Sequence, residues 1–187
     1  MIVAITGGIG SGKSFVSNRL IKFGIKVYDS DSAAKRLLRT STELQHAVSA
    51  LIGKDIIKNG ILQKQLLSEY LLLNKTNANK LNNIIHPAVA NDFEQSDYKW
   101  IETAILFSSG FINRIHIDKV VCVTAPKNLR IERIMNRNSV NKETALKWIN
   151  SQMSQNDIIS KSDFIIINDS MHELDSQIIT LLKTLSS

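Results

Sequence analysis

Gly7, Gly8, Gly10 and Gly12, followed by Lys13 and Ser14, fall at the spacing G-x-x-x-x-G-K-S. A loop that wraps a phosphate has to turn its backbone N–H groups inward, and Cβ atoms would obstruct the close approach that glycines permit. Lys13 can then reach the β- and γ-phosphates of a nucleoside triphosphate as a point charge. The hydroxyl of Ser14 suits Mg²⁺, and the N-terminus of a following helix adds its positive dipole end. The chemistry is therefore phosphate binding beside a hard cation. A glycine-rich turn before a helix is the competing reading, and the flanking pattern favours the phosphate cradle. Ile2-Val3-Ala4-Ile5-Thr6 reads as a buried strand, and Val16, Leu20 and Phe23 give Phe15 to Phe23 the period of a helix.

The groups that would act on a triphosphate lie further along. Gly24 is a candidate left-handed stop, and Ile25-Lys26-Val27-Tyr28 reads as a second strand. So short a crossover predicts a parallel pair whose C-terminal ends share one edge of the sheet, which puts Asp29-Ser30-Asp31-Ser32 on the edge of the phosphate loop. Asp31 has two compatible readings. It caps the helix that begins here, or its carboxylate takes the proton of an attacking hydroxyl or holds Mg²⁺ through water. Arg130, Arg133 and Arg137 recur at i, i+3 and i+7 and share a helix face. A solvated face is the bland reading; beside a phosphate loop, arginines leading into a lid are placed to stabilise a transferring phosphoryl group, and Arg137 is the candidate. Residues 126–161 hold seven basic against three acidic side chains, which fits a local phosphate clamp. Glu102 is open between a cleft carboxylate and a surface residue. His86-Pro87 puts His86 near a proline-restarted helix N-terminus, in a structural role or as a donor to a phosphate or sugar.

The elements that position these groups read as one fold. The 187 residues carry 43% hydrophobic residues, enough for one domain with a sizeable core. No apolar run approaches the roughly 18 residues of a membrane span, and the chain begins directly in the first strand, so a cytoplasmic location is expected. Cys122 is the single cysteine and reads as a buried core thiol. The formal charge of +6 favours anionic partners. Nucleic acid is disfavoured, because 6% aromatics and no interleaved basic cluster leave no stacking platform. From Thr40 to about Asp97 the periodicity is helical with few strand signals, an insertion large enough to cover a second substrate. Trp100 to Thr103 and Lys119 to Thr124 read as strands, the second buried. Asn138 to Ser160 reads as a helical-hairpin lid, Asp163 to Ile167 as the last strand, and Leu174 to Leu185 as the final amphipathic helix. The fold class is α/β: a five-stranded parallel sheet wrapped by helices, with a helical insertion and a helical lid.

These residues resemble the dephospho-CoA kinases, a P-loop kinase family, over nearly the whole chain. The carriers are Thr6 to Ser14 with its doubled glycine, Asp29-Ser30-Asp31, Ile85-His86-Pro87, Arg133 to Arg137, and Ile166-Ile167-Asn168. The resemblance implies transfer of a phosphoryl group from ATP to the ribose 3′-hydroxyl of dephospho-CoA, the last step of coenzyme A synthesis. It implies ATP and Mg²⁺ on Gly8, Ile9, Gly10, Ser11, Gly12, Lys13, Ser14 and Phe15, with Ser14 on the metal. Asp31 would activate the 3′-hydroxyl, Arg137 would contact phosphate from the lid, Asn168 would lie near the adenine, and His86 would serve the acceptor. The parts would be a core (about 1–39, 98–136 and 162–187), a CoA-binding insertion (about 40–97) and a lid (about 137–161) in a monomer or weak homo-oligomer. One departure stands out: the family's common Pro-Leu-Leu-Phe-Glu is Ala104-Ile105-Leu106-Phe107-Ser108 here, so no role is carried onto Ser108. A P-loop kinase for another small acceptor, such as a nucleoside monophosphate, is the nearest alternative. A GTPase-like switch is disfavoured, because its guanine reader is approached only by Asn74-Lys75-Thr76-Asn77, with asparagine in place of the base-reading carboxylate.

Overall fold

The computed structural model describes residues 1–74 and 76–186; Lys75, within the Asn-Lys-x-Asn string, lies outside them. Two compact units emerge, one of Met1–Tyr28, Tyr98–Ile112 and His116–Ser187, the other of Asp29–Asp97 with Asn113–Ile115.

The first unit is built on a five-stranded parallel sheet wrapped by helices. Its strands are β1 (Val3–Thr6), β2 (Val27–Asp29), β5 (Trp100–Glu102), β6 (Lys119–Thr124) and β7 (Phe164–Ile167), in the order β2-β5-β1-β6-β7. β1 lies between β5 and β6, with Ala4 opposite Ile101 on one side and Val120 on the other. All four β1 residues are buried, as an apolar run covered by helices on both faces demands. The core gathers Val3, Ile5, Val16, Leu20, Val121, Val123, Ile166, Ile178 and Leu181. Val16 and Leu20 come from α1 (Lys13–Lys22), Ile178 and Leu181 from α9 (Leu174–Ser186). Arg19 of α1 and Asp175 of α9 are joined by a two-pronged ion pair. Gly24 takes φ +84 as expected of a left-handed stop. α6 (Lys127–Asn138) follows β6, then the short α7 (Lys142–Asn150) and α8 (Gln155–Ile159) cover the segment read as a lid hairpin.

The second unit is helical: α2 (Ser30–Thr40), α3 (Thr42–Ile52), α4 (Lys64–Leu73) and α5 (Asn77–Glu94). It differs from the sequence expectation in two places. A two-stranded antiparallel hairpin, β3 (Ile57–Lys58) and β4 (Ile61–Leu62), interrupts the helical stretch. Its turn is Asn59-Gly60, both with positive φ (+52 and +75), the backbone that a tight hairpin requires. Pro87 also fails to restart a helix: it lies inside α5, which runs through it, so His86 is mid-helix and not at an N-terminus. The cost of an interior proline, about 3 kcal/mol, is offset by packing. Leu81, Ile85, His86, Val89, Ala90 and Phe93 are buried along one face of α5, which packs against α2, α3 and α4.

Candidate active site

The loop between β1 and α1 has a backbone that only its glycines allow. Gly7, Gly10 and Gly12 take φ of +146, +79 and +91. A Cβ at Gly7 would lie 2.2 Å from the carbonyl oxygen of Val123, and one at Gly12 2.1 Å from Nδ2 of Asn168. The glycines are thus required by the protein's own walls as well as by the backbone dihedrals. Gly12 is the residue before α1, so the N–H groups of the first helical turn open at the loop.

The carbonyls of this loop are held by side chains. Lys13 Nζ donates to Gly7 O at 2.9 Å. Arg130 Nε donates to Ile9 O at 2.8 Å. Arg133 Nη1 reaches Gly10 O at 3.4 Å and Ser11 O at 3.2 Å, while its Nη2 donates to Asn168 O at 3.0 Å. Asn168 Nδ2, one residue past β7, adds a second bond to Ser11 O at 2.9 Å. Side chains thus hold the loop carbonyls, while the N–H groups at the start of α1 open at the loop, the arrangement an anion needs. Of the three arginines on one helix face, Arg130 is buried, Arg133 is half-buried, and Arg137 is exposed with its Nε on Asn138 Oδ1 at 3.1 Å. Burial pulls the Arg130 guanidinium below its ordinary value, with the Cys122 thiol acting in the opposite direction. Cys122 itself is a buried thiol, pushed up to about 11 first by desolvation.

Ser14 Oγ donates to Glu102 Oε1 at 2.8 Å. Glu102 ends β5, the strand beside β1, so sheet register brings a carboxylate to the P-loop hydroxyl from 88 residues away. Hydroxyl and carboxylate oxygens are the donor set Mg²⁺ prefers. Phe15, next in the chain, is exposed.

In the helical unit, Asp29 and not Asp31 caps α2. Its Oδ1 accepts from the N–H groups of Asp31 (3.0 Å) and Ser32 (3.1 Å). The capping reading of Asp31 is thereby overturned: its own carboxylate is exposed and has no hydrogen-bond partner among the described residues. His86 is buried, and its imidazole is shifted below the ordinary histidine value. Desolvation is the largest cause, with Arg114 adding to it and Asp31 opposing.

A family model described as dephospho-CoA kinase matches residues 1–173. The chain belongs to the dephospho-CoA kinase family. It is 40% identical over 189 residues to the dephospho-CoA kinase of Porphyromonas gingivalis, covering 97% of this chain and 93% of that one. It is 39% identical over 187 residues to the dephospho-CoA kinase of Bacteroides fragilis, covering 96% and 90%. Among solved structures, the dephospho-CoA kinase from Campylobacter jejuni superposes with a TM-score of 0.62 at 26% identity, over 99% of this chain and 95% of that one.

Of the residues selected on sequence, the structure brings Ile9 to Ser14 together with Asn168 at one loop, tied by Arg130 and Arg133. No hydrogen bond joins Arg137 to that loop among the described residues. Glu102 is the residue that sequence reading left undecided: its burial and its bond to Ser14 appear only once β5 is paired with β1. Gln152 is a second omission, since its Oε1 accepts from the N–H of Ile9 at 2.8 Å. Nothing in a polar lid sequence singles out that glutamine.

Proposed function

We propose that the loop from Gly8 to Phe15 binds ATP and that Asp31 activates the acceptor in the family's reaction. The chain catalyses ATP-dependent phosphorylation of the ribose 3′-hydroxyl of dephospho-CoA, giving coenzyme A. What carries the reading of the loop is its geometry, with carbonyls held by Lys13, Arg130, Arg133 and Asn168 on a family-matched motif.

Lys13 shifts from the loop carbonyls onto the β- and γ-phosphates, where a charged acceptor competes well with a neutral one. Ser14 and Glu102 would hold Mg²⁺, whose role when bound is to neutralise charge on the phosphate oxygens. Asp31 accepts the proton of the 3′-hydroxyl as it attacks in line; its exposed, uncommitted carboxylate supports that role. Arg137 contacts the phosphates from the lid, and Asn168 lies on the adenine side of the loop it already touches. His86 is read as shaping the acceptor side of the helical unit. We read about 40–97 as the CoA-binding part and about 137–161 as the lid, whose closure excludes water. The substrates are small anions, and cytoplasmic action as a monomer or weak homo-oligomer is part of the same proposal. No helix among the described residues is long and apolar enough to cross a membrane.

The test is ADP release from Mg²⁺-ATP with dephospho-CoA, adenosine, AMP and CMP as acceptors, run beside Asp31→Asn. Turnover with dephospho-CoA alone, lost in the variant, is expected. Acceptor-independent hydrolysis untouched by the variant would remove Asp31 from the role of base.

A further inference from the structure

Phosphate binding does not account for every glycine in the loop. Gly8 lacks the positive φ of its neighbours, so its backbone would accept a side chain. What stands in the way is Arg130: a Cβ on Gly8 would lie 2.4 Å from Nη2 and 2.9 Å from Cζ of its guanidinium. Gly10 is crowded by the same residue, with a Cβ 2.7 Å from the Arg130 carbonyl oxygen. Gly8 and Gly10 make room for an arginine.

That arginine is in an unusual position. It is 5% exposed, yet none of its nitrogens meets a carboxylate among the described residues. Its acceptors are neutral: Ile9 O through Nε at 2.8 Å and Gln155 Oε1 through Nη1 at 3.3 Å. A buried charge served only by neutral acceptors is poorly compensated, and a nearby anion would supply what is missing. The loop it leans on is the one built for anions. Ile9 is also gripped on its other side, its N–H donating to Gln152 Oε1 at 2.8 Å. The two peptide groups flanking Ile9 are therefore held, one by α6 through Arg130 and the other by the lid segment through Gln152, while Gln155, also of that segment, holds Arg130.

We propose that Arg130 is a positioning residue for the triphosphate. It keeps the Ile9 carbonyl out of the phosphate cradle, brings a net positive charge against the loop at Gly8, and is joined to the lid by Gln155, with Gln152 closing the grip on Ile9. This deepens the ATP-site reading of the loop and rests on it. Arg137, exposed one turn beyond Arg133, has no part in it.

Arg130→Gln removes the charge and keeps a shorter polar side chain. The dissociation constant for ADP, by calorimetry, and KM for ATP are expected to rise about tenfold or more, with KM for dephospho-CoA within about twofold of wild type. Arg130→Lys restores charge without the planar fork and recovers only part of the loss. Gly8→Ala displaces Nη2 and reproduces the weakened ADP binding, while Gly8→Ala in an Arg130→Ala background adds almost nothing. A merely structural arginine gives the opposite pattern, a lowered Tm with unchanged ADP affinity per folded molecule, and that result overturns the proposal. If Arg130→Gln does not fold, Gly8→Ala decides, since unchanged ADP binding there overturns it equally. ADP binding needs no acceptor: a wild-type protein that binds ADP but fails to turn over dephospho-CoA would defeat the functional reading and leave the Arg130 result to stand or fall by itself.

Discussion

In the phosphate loop the carbonyls of Gly7, Ile9, Gly10 and Ser11 each accept from a side chain, whereas in the first turn of α2 the Asp31 carboxylate has no hydrogen-bond partner among the described residues and its N–H is engaged by Asp29. The loop carries its geometry in a network drawn from α1, α6 and the end of β7. Asp31 has a fixed backbone, because capping by Asp29 anchors the first turn at about 1 kcal/mol, but an exposed side chain. The two regions suit different tasks. A network that pre-arranges N–H groups serves binding, since the ordering cost is already met in the folded chain. A base has to meet its proton in the transition state, so its contribution appears in kcat. Damage to the loop should therefore read out in nucleotide affinity and damage to Asp31 in turnover.

The sharpest test of that contrast is Asp31→Asn. Its shape is kept, its proton affinity is lost, and kcat is expected to fall about 10²- to 10⁴-fold with KM for ATP nearly unchanged. A large rise in KM for ATP at constant kcat would erase the distinction. Next in size is Glu102→Gln, which retains an acceptor for the Ser14 hydroxyl but not the charge. The Mg²⁺ concentration giving half-maximal activity should rise about 10- to 100-fold, with activity largely restored at high Mg²⁺. If the Mg²⁺ dependence does not move, Glu102 is a structural partner of Ser14 and nothing more. Smaller again is Gly12→Ala. A side chain at φ +91 costs about 1–3 kcal/mol, and its Cβ would meet Asn168 Nδ2, so ADP affinity should drop about 5- to 100-fold with Asp31 chemistry intact.

These contrasts also show which parts were legible in the chain. The phosphate loop could be read because its information is local: strand, glycines, lysine, serine and helix follow one another within some twenty residues. The order of the sheet strands was not legible in the same way: the short crossover predicts that β1 and β2 pair, whereas β5, which follows the helical insertion in the chain, lies between them. Glu102 could not be read, because its meaning is a partner 88 residues away and depends on register. Spacing put Arg130, Arg133 and Arg137 on one face but carried no information about which of them leans on the loop; burial separates them, and it favours the first two over the one nearest the lid. The hairpin at Ile57–Leu62 was legible in principle, since Asn59-Gly60 is a strong turn signal, but its two-residue strands are too short to show alternation against helical surroundings. Asp29 and Asp31 compete for one capping role two residues apart, and only the backbone dihedrals decide between them: Asp29 is extended and Asp31 is already helical.

The smallest expected effect belongs to the helical unit and concerns stability. His86 is buried on the inner face of α5 in a site that disfavours its charged form, through desolvation first and Arg114 second, against the opposing field of Asp31. A histidine whose folded value is depressed binds fewer protons in the native state than in the unfolded chain. Its neutral form therefore supports full stability above the unfolded value of about 6.5, and stability declines as pH falls below that value until the folded group also protonates. His86→Asn removes the titration while keeping a polar side chain of similar reach. Melting temperature measured from pH 7.5 down to pH 5 should fall less steeply in the variant than in the wild type. Asp31→Asn removes a charge that favours protonation, so it should steepen the wild-type decline slightly while lowering kcat. If His86→Asn leaves the pH dependence of melting unchanged, the acid sensitivity lies elsewhere, and the contrast between a fixed loop and an uncommitted Asp31 would then rest on kinetics alone.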